Sequence, residues 1–194
     1  MFSETELQLV TECSFILTKN TIIRKVYEQF GYLGNMLFEI LKPLQTVNPA
    51  VYGTIPKISK GENYQGMPWV MLDYPRFFNK HEGHCAMRTF FWWGHYYLAQ
   101  VQVSKGFKQN IIEKLYENPA LFKHFDDPVW IGVPDDPYEY QIPQKGMEPF
   151  SVSIIPKFEN KGEILKVAIP VSIEKGQHLA VVLPLLASLF IDSN

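Results

Sequence analysis

The chain has 194 residues, of which 46% are hydrophobic and 20% are charged, and its net charge is −2. This length and composition fit one domain, with enough apolar side chain for a core that needs no disulfide or metal cross-link. The charge disfavours a nucleic-acid partner, and two cysteines without paired spacing are typical of a reducing compartment. We therefore expect a single domain over residues 1–194 that resides in the cytoplasm.

The first 45 residues are predicted to be helical. Ser3 and Glu6 have the spacing of a capping box, in which each side chain accepts a hydrogen bond from the other residue's backbone N–H. A second helix is predicted from about Asn20, because apolar residues then recur every three or four positions. These residues are Ile22, Val26, Phe30, Leu33, Leu37, Ile40 or Leu41, and Leu44. Pro43 is expected to end this helix.

The sheet is predicted within residues 66–194, after a long loop over residues 46–65 that is rich in Pro, Gly and Asn. Strands are predicted at residues 67–77, 87–103 and 129–133, and a hairpin pairs residues 150–158 with residues 164–173. The run over residues 87–103 is longer than the usual strand of about 3–10 residues, so a reversal is expected near Gly94. Pro156 and Pro170 suggest edge positions or bulges.

Two further helices complete the predicted fold. The spacing of Phe107, Ile111, Leu115 and their neighbours predicts a central helix, and residues 178–191 predict a C-terminal one. The apolar run within that last helix is shorter than the roughly 20 residues that cross a bilayer, so no membrane association is expected. The fold class is α+β: a single domain whose antiparallel sheet of five or six strands carries N-terminal, central and C-terminal helices.

Aromatic residues are concentrated in the middle of the predicted sheet. They include Phe90, Phe91, Trp92, Trp93, Tyr96 and Tyr97. Consecutive strand residues point to opposite faces, so one set packs on helices while the other must meet a second layer, a partner chain or a ligand.

Charged residues flank this aromatic segment. The chain has three arginines and fifteen lysines, and Arg76 and Arg88 are two of those three arginines. A guanidinium there indicates either an internal ion pair, as with Asp73, or a site for an anionic ligand. His95 lies on the alternating face that continues to Val101, which predicts a core histidine or, alternatively, a catalytic base. The candidate ligand-binding residues are Trp69, Asp73, Arg76, Arg88, Trp92 and His95.

The densest group of metal-ligating side chains is His81, Glu82, His84 and Cys85. Imidazole and thiolate groups at this spacing suit Zn²⁺, but a further ligand from elsewhere is needed, and a polar loop between two strands is the alternative. His81 and His84 are therefore the candidate metal ligands. The Asp-Asp-Pro sequences at residues 126–128 and 135–137 are interpreted as turns, and a site for a hard cation or an acid–base pair of carboxylates is the alternative.

The sequence contains no nucleophile elbow, phosphate-binding glycine loop or dinucleotide fingerprint, and it indicates no cofactor. The leading hypothesis is a soluble binding or interaction domain whose aromatic sheet face receives a small-molecule ligand or a protein partner. A metal-assisted hydrolase that uses His81 and His84 is the first alternative. A self-associating subunit, in which a homodimer interface buries the aromatics or the apolar terminal helix, is the second.

Overall fold

The computed structural model describes residues 1–123 and 127–191, and these form an α+β structure with six α-helices and seven strands. The helices are α1 (Glu4–Thr11), α2 (Cys13–Leu41), α3 (Pro49–Tyr52), α4 (Gly106–Glu117), α5 (Pro156–Glu159) and α6 (Leu179–Ser188). The strands are β1 (Lys57–Tyr64), β2 (Met67–Asn79), β3 (Gly83–Trp92), β4 (Tyr96–Ser104), β5 (Trp130–Gly132), β6 (Met147–Pro149) and β7 (Ile164–Ser172).

All seven strands join one antiparallel sheet in the order β1-β2-β3-β4-β7-β5-β6. Because side chains along a strand alternate between the two sides of the sheet, the sheet has two faces, and each face packs against different parts of the chain. The first face carries residues such as Leu72, Met87 and Val101, which share one core with helices α2, α4 and α6. The second face carries residues such as Phe90 and Leu98, which form a smaller core of their own.

The predicted helices are confirmed in outline. Both hydrogen bonds of the capping box are present, from Ser3 N to Glu6 Oε2 at 2.6 Å and from Glu6 N to Ser3 Oγ at 3.3 Å. Helix α2 begins at Cys13, earlier than predicted, and ends at Leu41, two residues before Pro43. The predicted reversal near Gly94 is the turn between β3 and β4. Gly94 has a backbone φ of +76°, which residues other than glycine rarely adopt.

The predicted strand count of five or six was too low. Strand β1 lies in the segment predicted as a long loop, since its sequence is polar and lacks apolar alternation. It is an edge strand that pairs only with β2, so it needs few apolar side chains. Strand β6 has three residues, which is too short for a periodic signal.

The predicted hairpin between residues 150–158 and 164–173 was wrong. Residues 152–154 form a 3₁₀ turn and residues 156–159 form α5, whereas β7 pairs with β4 and β5. Strand β7 is a central strand buried on both faces, which explains its nearly continuous apolar sequence. The pairing of β5 with β7 ends at Trp130 and Ala168, so Pro170 pairs with β4 on one side and lies beyond the paired part of β5 on the other. This is an edge-like position, where a proline removes no ladder hydrogen bond on the open side.

The C-terminal helix α6 is confirmed, and it packs against α2 and the first face of the sheet. Its buried residues are Leu179, Val182, Leu183, Leu186 and Ala187. Among the residues described, no helix has both the length and the apolar character that crossing a membrane requires.

Candidate functional site

Polar side chains occupy the middle of the second face, where an apolar surface would be expected. Their positions follow from strand register, since Asp73 lies opposite Arg88, Arg88 opposite Gln100, and Gln102 opposite Lys166. Tyr140, from the loop between β5 and β6, lies over them. We call this set the polar centre, and it consists of Asp73, Arg88, Gln100, Gln102, Tyr140 and Lys166. Each member is at most 9% exposed.

Arg88 connects the polar centre. Its Nε donates a hydrogen bond to Asp73 Oδ1 at 2.8 Å, and its Nη1 donates to Gln102 Oε1 at 3.2 Å and to the Tyr140 hydroxyl at 3.4 Å. Burial raises the pKa of Asp73, while the charge of Arg88 acts in the opposite direction. The guanidinium also lies 5.5 Å from the centre of the Tyr138 ring. The ion pair of Arg88 with Asp73 holds a buried guanidinium at a fixed position on the sheet.

Lys166 is the most unusual residue of this group, because its side chain is fully buried in the middle of an apolar strand. Its Nζ donates a hydrogen bond to the backbone oxygen of Glu139 at 2.5 Å. Burial lowers the pKa of Lys166 to about 7, with Arg88 adding to this effect and the carboxylates of Glu139 and Asp136 opposing it. The amine therefore changes its charge near neutral pH.

Gln100 lies between Arg88 on β3 and Ala168 on β7 and is 0% exposed. Within residues 1–123 and 127–191, neither its Oε1 nor its Nε2 has a hydrogen-bond partner. A buried amide in this condition costs about 1–3 kcal/mol in each unsatisfied group. Folding alone does not explain a glutamine here, since an apolar residue of the same size would avoid this cost.

Beside the polar centre, the second face becomes apolar and aromatic. Phe90, Trp92 and Leu98 are buried there, and the Trp69 ring stacks on Phe90 with centroids 5.8 Å apart. The indole Nε1 of Trp92 is buried, and it too has no hydrogen-bond partner in the described part of the chain. The face is thus divided into a charged half and an aromatic half, with Gln100 at the boundary.

The loop over residues 133–146, which we call the cover loop, closes this face. Its Tyr140 ring stacks on Phe90 with centroids 4.3 Å apart and planes 15° from parallel. The same residue brings its hydroxyl to Arg88, so one side chain fills both halves of the face. Burial raises the pKa of Tyr140, which keeps the hydroxyl protonated at neutral pH.

Polar contacts from the sheet hold the cover loop in place. The Tyr96 hydroxyl donates to Tyr140 O at 3.1 Å and accepts from Ile142 N at 2.8 Å. The Tyr64 hydroxyl accepts from Tyr140 N at 2.8 Å and donates to the Glu139 carboxylate. Gln102 Nε2 and Lys166 Nζ add bonds to loop carbonyls. The loop is therefore attached mainly through hydrogen bonds, which can exchange with water when it opens.

Four of the residues predicted from sequence meet on the second face, namely Trp69, Asp73, Arg88 and Trp92. Arg76 follows a register shift in β2 and lies opposite Ala86, so it borders the polar centre. Its charge acts on Asp73, and its buried Nε has no hydrogen-bond partner among the residues described.

His95 is not where strand alternation placed it. It is exposed in the turn between β3 and β4, so its prediction as a core residue was wrong. The cause is the reversal at Gly94, which interrupts the alternation of the two faces. The imidazole stacks on Trp92 with ring centroids 3.5 Å apart, at the aromatic end of the second face.

Of the predicted metal ligands, His84 comes nearest to the site, since its neighbour Phe78 also lies 5.1 Å from the Arg88 guanidinium. His81 is in the turn between β2 and β3, and the His84 ring contacts Phe78 edge-on at 5.4 Å. Cys85 is buried on the first face. Across the described ranges, no three His, Cys, Asp or Glu side chains form a group that could hold a metal ion. Metal binding at His81 and His84 stays a prediction.

Sequence reasoning missed Gln100, Gln102, Tyr140 and Lys166. A signal was present, since Gln100 and Gln102 occupy alternate positions of a strand that is otherwise apolar, and Lys166 interrupts an apolar run. Tyr140 gave no such signal, because it lies in a loop.

Comparisons of this chain with protein-family models, with curated proteins and with solved structures found no match, so its own geometry is the basis for a functional assignment.

Proposed function

We propose that this protein is a binding domain for a small organic anion with a planar apolar body. The ligand lies on the second face of the sheet, with its anionic group at Arg88 and its body on Phe90 and Trp92. It takes the place that Tyr140 occupies when the cover loop is closed.

The observation that carries this proposal is the buried Gln100 amide, which has no hydrogen-bond partner among the residues described. Buried polar groups in folded proteins are nearly always satisfied, and exceptions concentrate where a ligand or a reaction supplies the missing bond. An amide can both donate to a ligand oxygen and accept from a ligand hydroxyl. Its position between the two halves of the face suits the polar atoms of such a ligand.

The charge of the site supports an anion. Arg88 and Arg76 supply guanidinium groups, Lys166 gains a proton near neutral pH, and Asp73 is the opposing carboxylate within the polar centre. The carboxylates of Glu139 and Asp136, which also act on Lys166, belong to the cover loop and move with it. An anionic group beside Lys166 would raise the pKa of its amine and complete an ion pair. A guanidinium is also suited to planar, two-point recognition of a carboxylate.

The shape of the ligand is inferred from Tyr140, since its ring and hydroxyl already use both halves of the face. A ligand that replaces this side chain needs an aromatic or similarly flat body and an oxygen that can bind Arg88. Entry requires the cover loop to move, and the bonds from Tyr64 and Tyr96 would be broken in that step.

The proposal is tested by titration with 4-hydroxybenzoate, followed by tryptophan fluorescence, because Trp69 and Trp92 border the site. The control ligand is 4-hydroxybenzylamine, which has the same ring and the opposite charge. Tyr140→Ala removes the side chain that occupies the proposed ligand position. It is expected to strengthen binding of the anion by at least about tenfold, since that competing side chain is lost.

The matched variant is Gln141→Ala, which truncates an exposed side chain of the same loop. It is expected to leave affinity within about twofold of the wild type, because surface substitutions seldom change energies by more than about 0.5 kcal/mol. Equal binding of the anion and the amine would contradict the proposal. So would the absence of binding at millimolar anion in both the wild type and Tyr140→Ala.

A further inference from the structure

We call the first 25 residues the N-terminal arm, which touches the sheet where Lys19 pairs with Glu62 on the edge strand β1. It comprises α1 and the beginning of α2. Residues 1–18 are all exposed, and the first buried residue of α2 is Ile23. The two helices meet at Glu12, which has an extended backbone conformation with φ −84° and ψ 105°.

This arm is rich in exposed apolar side chains. Those that are 49–65% exposed are Phe2, Leu7, Leu9, Val10, Phe15, Ile16 and Leu17. They represent an apolar area on the order of 700 Å², close to the roughly 800 Å² that each partner buries in a standard interface. Exposed apolar residues are normally scattered singly over a surface, whereas these seven lie within sixteen residues of chain, so a covering partner is expected.

The short length of helix α1 also indicates that a partner covers the arm. Helix α1 has eight residues, and isolated helices shorter than about 12–15 residues are marginal in water. The Ser3–Glu6 capping box stabilises its first turn alone. Packing of apolar side chains against another surface would supply the remaining stability.

Charge along the arm indicates what that surface is. Residues 1–12 contain Glu4, Glu6 and Glu12 and neither lysine nor arginine. Residues 13–25 contain Lys19, Arg24 and Lys25 and neither aspartate nor glutamate. Within the chain, Lys19 pairs with Glu62 and Arg24 pairs with Glu28, and surface pairs of this kind can exchange partners at little cost. An acidic segment beside a basic one is complementary to a second copy of itself. The acidic α1 is unfavourable for an anionic lipid surface, where interfacial helices are rich in lysine and arginine.

We propose that the protein forms a two-fold symmetric dimer through its N-terminal arm, in which α1 of one copy lies against residues 13–25 of the other. Such an interface buries the apolar residues of both arms and pairs each acidic segment with the partner's basic one. It is separate from the second face of the sheet and does not depend on ligand binding there.

Charge exchange tests the arrangement, with sedimentation velocity as the measurement. Glu4→Lys/Glu12→Lys makes α1 basic, and Arg24→Glu/Lys25→Glu makes the start of α2 acidic. All four residues are exposed, so folding is expected to be retained, which circular dichroism checks. Each variant alone is expected to dissociate at least about tenfold more readily than the wild type, and an equimolar mixture is expected to restore the dimer as a heterodimer.

An apolar variant provides an independent test. Val10→Lys/Phe15→Lys is expected to give a monomer, while Tyr32→Lys, an equally exposed apolar-to-charged change on α2 outside the arm, keeps the dimer. A wild-type monomer at about 100 μM would overturn the proposal, since interfaces of this size bind in the micromolar range or tighter. A dimer that survives Val10→Lys/Phe15→Lys would overturn it as well, as would binding of wild-type monomer to phosphatidylcholine vesicles.

Discussion

Tyr140 lies flat on Phe90, with ring centroids 4.3 Å apart, and this stacking joins the cover loop to the sheet. The contact belongs to one loop residue and one strand residue, so it breaks when the loop moves. The second face therefore opens only when this stacking and the hydrogen bonds from Tyr64 and Tyr96 break together.

The cover loop is expected to open more often in Tyr96→Phe. The variant leaves Tyr140 O and Ile142 N without the hydroxyl that each bonds in the wild type. Hydrogen exchange at the Ile142 amide should quicken by roughly tenfold, because losing such bonds costs about 1–2 kcal/mol. The control is Tyr97→Phe, whose hydroxyl bonds Gln29 on the first face. Unchanged exchange at Ile142 in Tyr96→Phe would show that other contacts hold the loop.

Gln100→Met is expected to stabilise the protein and to reduce its affinity for 4-hydroxybenzoate. Methionine has a similar volume and lacks the buried amide, so the free energy of unfolding should rise by about 1–3 kcal/mol. A gain in stability with a loss of binding is the behaviour of a residue retained for function.

Thr89→Val is the matched control for Gln100→Met. Thr89 is also buried, its hydroxyl has no partner within the described ranges, and it lies on the first face of the sheet. This variant should be at least as stable as the wild type and should bind 4-hydroxybenzoate normally. If both variants bind alike, Gln100 does not contact the ligand.

The ion pair of Asp73 and Arg88 should behave as a unit. Arg88→Met alone is expected to lower the free energy of unfolding by about 3–5 kcal/mol, because it leaves a buried carboxylate without its counter-charge. Asp73→Leu/Arg88→Met removes both charges and should recover most of that loss. Urea unfolding of the two single variants and the double variant measures the coupling. Additive losses would show that the two side chains contribute independently.

Lys166 should make stability depend on pH between about 7 and 9. Its pKa in the folded protein is lowered to about 7 from 10.5, so in this range the unfolded chain binds more protons than the folded one. Stability due to this residue therefore rises with pH, by up to about 1.4 kcal/mol per pH unit. This contribution falls to its lowest level near pH 7 and stays constant below it, where the folded amine is protonated as well as the unfolded one.

The difference between wild type and Lys166→Met isolates this effect, because other titrating groups cancel. Urea unfolding at pH 7, 8 and 9 should show the wild type gaining stability relative to the variant. A difference that stays constant over this range would mean that the Lys166 amine remains charged in the folded protein.

The two cysteines should differ in reactivity. Cys13 is exposed in the N-terminal arm, whereas Cys85 is buried on the first face, and burial raises the pKa of the Cys85 thiol to about 12. Iodoacetamide at pH 8 should modify one thiol of the native protein and two after unfolding, as counted by mass spectrometry. Rapid modification of Cys85 in native protein would contradict the buried position.

The α+β class and most helices could be predicted because their signals are local. The Ser3–Glu6 capping box and the stripe that includes Val26, Phe30 and Leu33 depend on residues a few positions apart. Strand β1 could not be predicted, since a polar edge strand depends on β2 beside it and has no apolar pattern of its own.

The candidate site was predictable only in part for the same reason. Asp73 and Arg88 stood out as charges in an apolar aromatic segment, but their neighbours Gln100 and Lys166 come from strands that the register alone brings together. Tyr140 reaches the site through a loop that no periodicity describes. The turn at Gly94 also moved His95 out of the predicted core, since one reversal changes which face a residue occupies.

The most direct measurement is a ¹H–¹⁵N NMR titration of wild-type protein with 4-hydroxybenzoate, followed at the side-chain amide of Gln100. The two resonances of that amide are identified by their absence from the spectrum of Gln100→Met. We predict that both shift as the ligand binds, along with the indole resonance of Trp92, because each would gain a hydrogen-bond partner or a new ring neighbour. Saturable binding that leaves these resonances unmoved would place the ligand elsewhere and contradict the account.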